Sequence, residues 1–341
     1  MPTLTPKENY LRLARGEMPE YVPTFTMMTP TADGEMVVKI FNPNIFGENH
    51  NGPQGGKDIW GVNYVANEET GYAALPEPNN FILGDIDDWE KVIKAPAVPD
   101  VDWEAFAKKD IENSKIDRNR TGVMLSAGYS PFQQLMAFMG FNEGLCALYE
   151  SPDTVKDLTH FMLDFYMPII EASIDAYKPD IFYLSDDTAS KYNPFFSPEI
   201  YKDLFKPVYA AMAKPALERG IPIQFHNCGH CEAFVPDMID FGVTYWDPAQ
   251  PMNDIMALKK QFKGKLVVCG CWDWMPPDTW PEVSEEYVRQ GVRDVIDKYA
   301  PDGGYAFCGA ALGRASETII GQVNKWVKDE VYNYGRDFYN K

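Results

Sequence analysis

From Gly122 to Cys308 the chain alternates between short apolar runs and helical sequence, and this alternation constrains the fold most. The runs are Gly122–Ala127, Asp180–Ser185, Ile221–His226, Val243–Trp246, Leu266–Gly270 and Tyr305–Cys308. They are too continuously apolar for a sheet with one wet face, so they predict parallel strands covered by helices on the outside. Between them, Ser151-Pro152 opens a helix to about Tyr177, with Val155, Leu158, Met162, Phe165, Ile169 and Ile170 at helical spacing. Ser197 and Ser284 are the expected N-caps of two further helices.

Before this region, Thr5, Pro6 and Gly16 bracket a short opening helix, and Val22–Thr26 reads as a first strand. Residues 29–100 are rich in Pro, Gly and Asn yet carry Trp60, Tyr64 and Phe81. That aromatic content argues for a packed elaboration with one or two hairpins rather than disorder. Adding Val22–Thr26 and one strand from the elaboration brings eight strands within reach. The expected fold is therefore α/β, a (β/α)8 TIM barrel formed by residues 1–341 as one domain. An open doubly wound sheet is the alternative, but no Gly-x-Gly-x-x-Gly or Walker-type loop supports it.

A formal charge of −19 excludes the basic surface that nucleic acid or an anionic membrane would need. No apolar run approaches the roughly 20 residues of a membrane span, and no signal-peptide core opens the chain, so a cytoplasmic location is expected. In that setting the six cysteines read as reduced thiols or metal ligands. The oligomeric state, a homodimer included, is left open.

In a parallel barrel the working face lies just past the C-terminal ends of the strands. Those positions hold Asp186-Asp187, His226-x-Cys228, Asp247-x-x-Gln250, Cys271-x-Asp273 and Cys308. Polar, ligand-type residues thus gather at one end of strands that were assigned from hydrophobicity alone, which points to an enzyme. The densest stretch, His226-Asn-Cys-Gly-His-Cys231, admits three readings. Cys228, Cys231, Cys269 and Cys271 could form a structural zinc site. Cys228-Gly-His-Cys231 matches a redox Cys-x-x-Cys, although such pairs sit early in small domains. The third reading is a catalytic zinc on His226, Cys228 and one distant thiolate, with a fourth position open to substrate. Cys308, at the end of its strand and followed by glycine, is the first candidate for that thiolate; Cys271 is its rival.

With these residues in view, the chain resembles the uroporphyrinogen decarboxylase superfamily, and within it the zinc- and corrinoid-dependent methyltransferases of the methoxyaromatic (veratrol) type. The resemblance rests on Pro6–Gly16, Asp58-Ile-Trp-Gly61, Ser185-Asp-Asp187 with Ser197-Pro-Glu-Ile-Tyr201, His226-Asn-Cys-Gly229, Pro251-Met-Asn-Asp254 and Cys308-Gly-Ala. It implies a barrel with Zn2+ on His226, Cys228 and Cys308. Two departures matter. The Glu20–Thr26 stretch lacks the paired arginines of the decarboxylase, which argues against that activity. The Asp-x-His-x-x-Gly signature of corrinoid carriers is absent, so the cobalamin would arrive on a separate corrinoid protein.

The expected reaction moves a methyl group between a small substrate, first a methoxyaromatic ether, and that partner's cobalt. Transfer from methylcobalamin to a coenzyme M-type thiol, or transfer involving tetrahydrofolate, is the alternative. Asp186 and Asp187 are the catalytic candidates, as groups that steady a substrate hydroxyl, assist the leaving oxygen or ligate the metal. Tyr129, Phe132, Tyr192, Phe195, Gln250 and Trp272 are the candidate pocket, with ordinary core packing as the competing explanation for the aromatics.

Overall fold

The structure, a computed structural model, describes residues 3–25, 36–47, 52–68, 70, 73–272, 283–311 and 318–340. Thr26 and Asp273 lie outside them. Among the described residues ten strands follow in chain order: β1 Val38–Phe41, β2 Gly55–Lys57, β3 Asn63–Val65, β4 Leu75–Pro76, β5 Gly122–Ser126, β6 Ile181–Ser185, β7 Ile223–His226, β8 Val243–Ala249, β9 Val267–Cys271 and β10 Tyr305–Cys308. Seven form one sheet in the order β1-β5-β6-β7-β8-β9-β10, with every neighbouring pair parallel. The strand expected at Val22–Thr26 is reduced to a parallel bridge between Thr24 and Phe307, which occupies an eighth position beside β10. No pairing joins that position to β1 among the described residues, where the sheet forms a barrel-like arc that stops short of the closed barrel anticipated.

The elaboration contributes more than a decoration. It supplies β1, an edge strand of the main sheet, and the small antiparallel sheet β2-β3-β4. The helix caps fall where the sequence puts them. Thr5, Ser197 and Ser284 each accept a hydrogen bond from the first turn of their helix, whereas Ser151 precedes Pro152–Tyr177 without a side-chain cap bond.

Two apolar layers separate cleanly. A large outer layer packs the helices on the sheet, while Val38, Met124, Ile181, Tyr183, Tyr245, Cys269 and Cys308 fill the concave side. The opening helix, Pro6–Ala14, plugs that interior with Tyr10 and Leu13. The Tyr10 ring stacks on Tyr245 at 4.8 Å, and the Tyr10 carbonyl accepts from the Tyr245 hydroxyl at 2.9 Å. The Tyr10 hydroxyl itself donates to Gln224 Oε1 at 2.8 Å. Both side chains are fully buried, so an unmade bond here has no water to replace it.

Tyr10→Phe should therefore lower unfolding stability by about 1–3 kcal/mol. The measurement is the urea midpoint at unchanged m-value; an unaltered midpoint would mean that the plug contributes packing alone.

Candidate metal centre

Strand register sets the site. Ser185 is paired with His226, and His226 with Asp247, so these three residues stand level on adjacent strands. His226 Nδ1 lies 2.8 Å from Asp247 Oδ1. Asp247 is 1 % exposed, and its other oxygen accepts from Gln224 Nε2 at 2.6 Å. A carboxylate is acceptor-only, so the amide must present its NH2 to Asp247 and its oxygen to Tyr10. The imidazole then gives its Nδ1–H to Asp247 and turns Nε2 toward Cys228 and Asp187, as metal-binding histidines do.

Cys228 Sγ lies 3.3 Å from that Nε2, and Asp187 Oδ1 lies 3.8 Å from it. The donor atoms of Asp187, His226 and Cys228 all fall within 4.8 Å of one another. Asp187 also receives the Cys228 backbone N–H at 3.2 Å and Gln133 Nε2 at 2.9 Å. Burial alone would lower the His226 pKa, but the Asp247 and Cys228 contacts outweigh it and the net shift is upward. Burial raises the Cys228 pKa, with His226 opposing.

Cys308 is buried on the concave side, and burial followed by the charges of Asp247, Cys269 and Cys228 pushes its thiol up. It faces the same interior but stays outside the tight group of three. Its rival Cys271, paired with it across the sheet, takes a left-handed backbone (φ 63°) and packs in the outer layer, where Lys259 and Lys298 are the charges that act on it.

The tetracysteine set is split as well. Cys269 contacts Tyr10 in the interior at 3.4 Å, while Cys231 is buried in the outer layer and donates to the Asn227 carbonyl at 3.4 Å. Cys228 and Cys231 are both free and both pushed upward in pKa, the opposite of a poised redox pair.

The loop that carries Cys228 is braced from three sides. Gly229, at φ 89°, passes so close to the Ala189 and Ser190 carbonyls that a Cβ would lie 2.5 Å from one of them. Its N–H donates to Gln250 Oε1 at 2.6 Å, and its carbonyl accepts from Asn253 Nδ2 at 3.0 Å. Gln250 thus positions the loop, a job that the pocket assignment did not include.

The two aspartates part company. Asp187 belongs to the site; Asp186 is fully buried and points away from it. Its carboxylate accepts from Phe132 N (2.8 Å), Gln133 N (3.0 Å), Tyr209 Oη (2.8 Å) and Asp187 N (3.1 Å), capping the helix Pro131–Met139 from outside. Burial pushes its pKa to about 7, against donors that all favour the anion. Among the expected pocket residues, Tyr129 stacks on Tyr166 at 4.8 Å and Phe132 is buried among Phe195, Phe196 and Phe205, so packing claims both. Tyr192 is 74 % exposed, and Trp272 lies against Gly309 and Phe307.

The sequence profile described as uroporphyrinogen decarboxylase (URO-D) matches residues 74–325. The chain belongs to this family. Among solved structures, a methyltransferase from Methanosarcina mazei aligns over 99% of this chain and 100% of its own, with a TM-score of 0.65 at 11% identity. At that identity the likeness establishes the fold of this URO-D member. A comparison with curated protein sequences finds no match. None of the described helices is long and apolar enough to cross a membrane.

Asp186→Asn replaces an acceptor-only group by one whose NH2 opposes a donor, and should cost about 1–3 kcal/mol of stability. Urea unfolding measures it. Metal content should be unchanged; a selective loss of metal would return Asp186 to the site.

Proposed function

We propose that this URO-D protein is a zinc-dependent methyltransferase that moves a methyl group between a small methylated substrate and the cobalt of a separate corrinoid protein. The observation that carries the reading is the convergence of His226 Nε2, Cys228 Sγ and an Asp187 oxygen on one point, with Asp247 fixing the imidazole from behind. The donor chemistry fits zinc: one imidazole nitrogen, thiolate sulfur and a carboxylate, with the histidine backed by a second carboxylate. His226 and Cys228 would hold the ion together with Cys308, the thiolate that the resemblance implies, or with Asp187, which already stands beside them, and its Lewis acidity would act on the substrate heteroatom that carries the methyl group.

The chain's own residues do the rest. Asp247 and Gln224 keep Nε2 aimed at Cys228 and Asp187. Asp187 has 39% of its side chain exposed, against 17% for His226, so it stands at the mouth, where a substrate hydroxyl can reach it. In demethylation of an aryl methyl ether, the first-choice substrate, the methyl leaves for reduced cobalt without its bonding electrons. The oxygen keeps that pair and takes up a proton from water. The methyltransferase of similar fold supports the reading, and the absence of a corrinoid-carrier signature in the sequence calls for the partner.

Purified protein should contain about one zinc per chain. Metal analysis should find it lost in Cys308→Ala; retention there with loss in Asp187→Ala would make Asp187 the third ligand.

Transfer from a methoxyaromatic should occur only when a reduced corrinoid carrier is added, and His226→Ala should reduce it to background. Turnover without cobalamin would refute the proposal.

A further inference from the structure

A second feature opens at the same end of the sheet, beyond the ends of β1 and β5. It is a cavity of 240 Å³ framed by the elaboration and by the helix Pro152–Tyr177. At about 30 Å³ per water, the space exceeds a bridging-water void and suits one small ring. Its walls include the aromatic rings of Phe46, Trp60, Tyr64 and Tyr166, and Asp58 and Gln134 also line it.

Asp58 is held without being saturated. Its Oδ1 accepts from the backbone N–H groups of Trp60 (2.9 Å) and Val62 (2.8 Å), while Oδ2 has one long bond, from Gln134 Nε2 at 3.2 Å. Among the described residues no Lys, Arg or His lines the cavity, and Asp58 is the one formally charged group on its walls. The neighbouring residue, Gln133, donates to Asp187 of the metal centre. Consecutive residues of one helix start therefore touch the two sites.

We propose that this cavity seats the aromatic ring of the substrate and that Asp58 Oδ2 accepts a hydrogen bond from a phenolic hydroxyl on it. This rests on the methyltransferase reading above and narrows it to uncharged methoxyphenols. Apolar walls bury the ring, and the spare carboxylate oxygen meets its one donor. A ring bearing a carboxylate meets no cation among the described lining residues and faces Asp58. A hydrogen bond to a charged group is among the stronger kinds, and a like charge in a confined site is repelled.

The test measures binding by calorimetry on the purified holoprotein with no corrinoid present. The probes are 2-methoxyphenol, methoxybenzene, 4-hydroxy-3-methoxybenzoate and tetramethylammonium. We expect 2-methoxyphenol to bind about tenfold or more tighter than methoxybenzene, and the benzoate to bind weakest. Asp58→Asn keeps an oxygen for the Trp60 and Val62 N–H groups, so the loop is retained. It should weaken the phenol and strengthen the benzoate, opposite movements that misfolding cannot produce. Equal binding of phenol and methoxybenzene, no effect of Asp58→Asn, or preference for tetramethylammonium would each overturn the proposal.

The two readings fail separately. Asp58-dependent phenol binding without methyl transfer would keep the cavity and sink the transfer. Transfer from 2-methoxyphenol at unchanged KM in Asp58→Asn would do the reverse.

Discussion

A single buried hydrogen-bond chain ties the bottom of the sheet to its working end. Tyr10 donates to Gln224, Gln224 donates to Asp247, and Asp247 accepts from His226 Nδ1. Each link fixes the next: the acceptor-only carboxylate orients the amide, the amide orients the tyrosine hydroxyl, and the carboxylate sets the imidazole tautomer. Tyr10, Gln224 and Asp247 are at most 1 % exposed, so no water can substitute for a missing partner. The opening helix thus does more than seal the interior. Its tyrosine is the far anchor of the histidine that faces the site.

Parallel register turns this linear chain into a centre. With Ser185, His226 and Asp247 level on adjacent strands, the segment after β6 delivers Asp187 and the turn after β7 delivers Cys228 to the same point. The turn is the demanding part, because Cys228 must face His226 while Cys231 faces the outer layer. Gly229 makes this possible by passing against two carbonyls where a side chain has no room, with Gln250 and Asn253 tying its backbone down.

The strand–helix order, the caps at Thr5, Ser197 and Ser284 and the pairing of His226 with Cys228 were legible because each is a local pattern: an apolar period, a cap or a spacing of two. What stayed hidden is tertiary. Asp247 could be placed at a strand end, but nothing local says that its carboxylate backs His226. Gln224 and Tyr10 read as ordinary strand and helix residues, and 214 positions separate the pair. Cys271 looked equivalent to Cys308 because both stand at strand ends. Positive φ at Gly270 and Cys271 breaks the alternation along β9 and leaves Cys271 in the outer layer, and no propensity announces that in a cysteine. Within Asp186-Asp187 the sequence offers two identical groups, and only the approach of the Pro131–Met139 helix separates the cap from the site residue.

That helix start is where the two halves of the structure are coupled. Its first N–H groups are held by Asp186, which fixes where Gln133 and Gln134 emerge. Gln133 then reaches Asp187, and Gln134 reaches Asp58 in the elaboration. A displacement of the helix would move the glutamine partners of both carboxylates at once, so one buried cap stands behind a contact of the metal centre and a contact of the aromatic cavity. The elaboration supplies Asp58 and most of the cavity's aromatic rings, and the Asp58 bonds to Trp60 and Val62 fix its own loop, so the helix start sets where the pocket stands and the loop sets its shape.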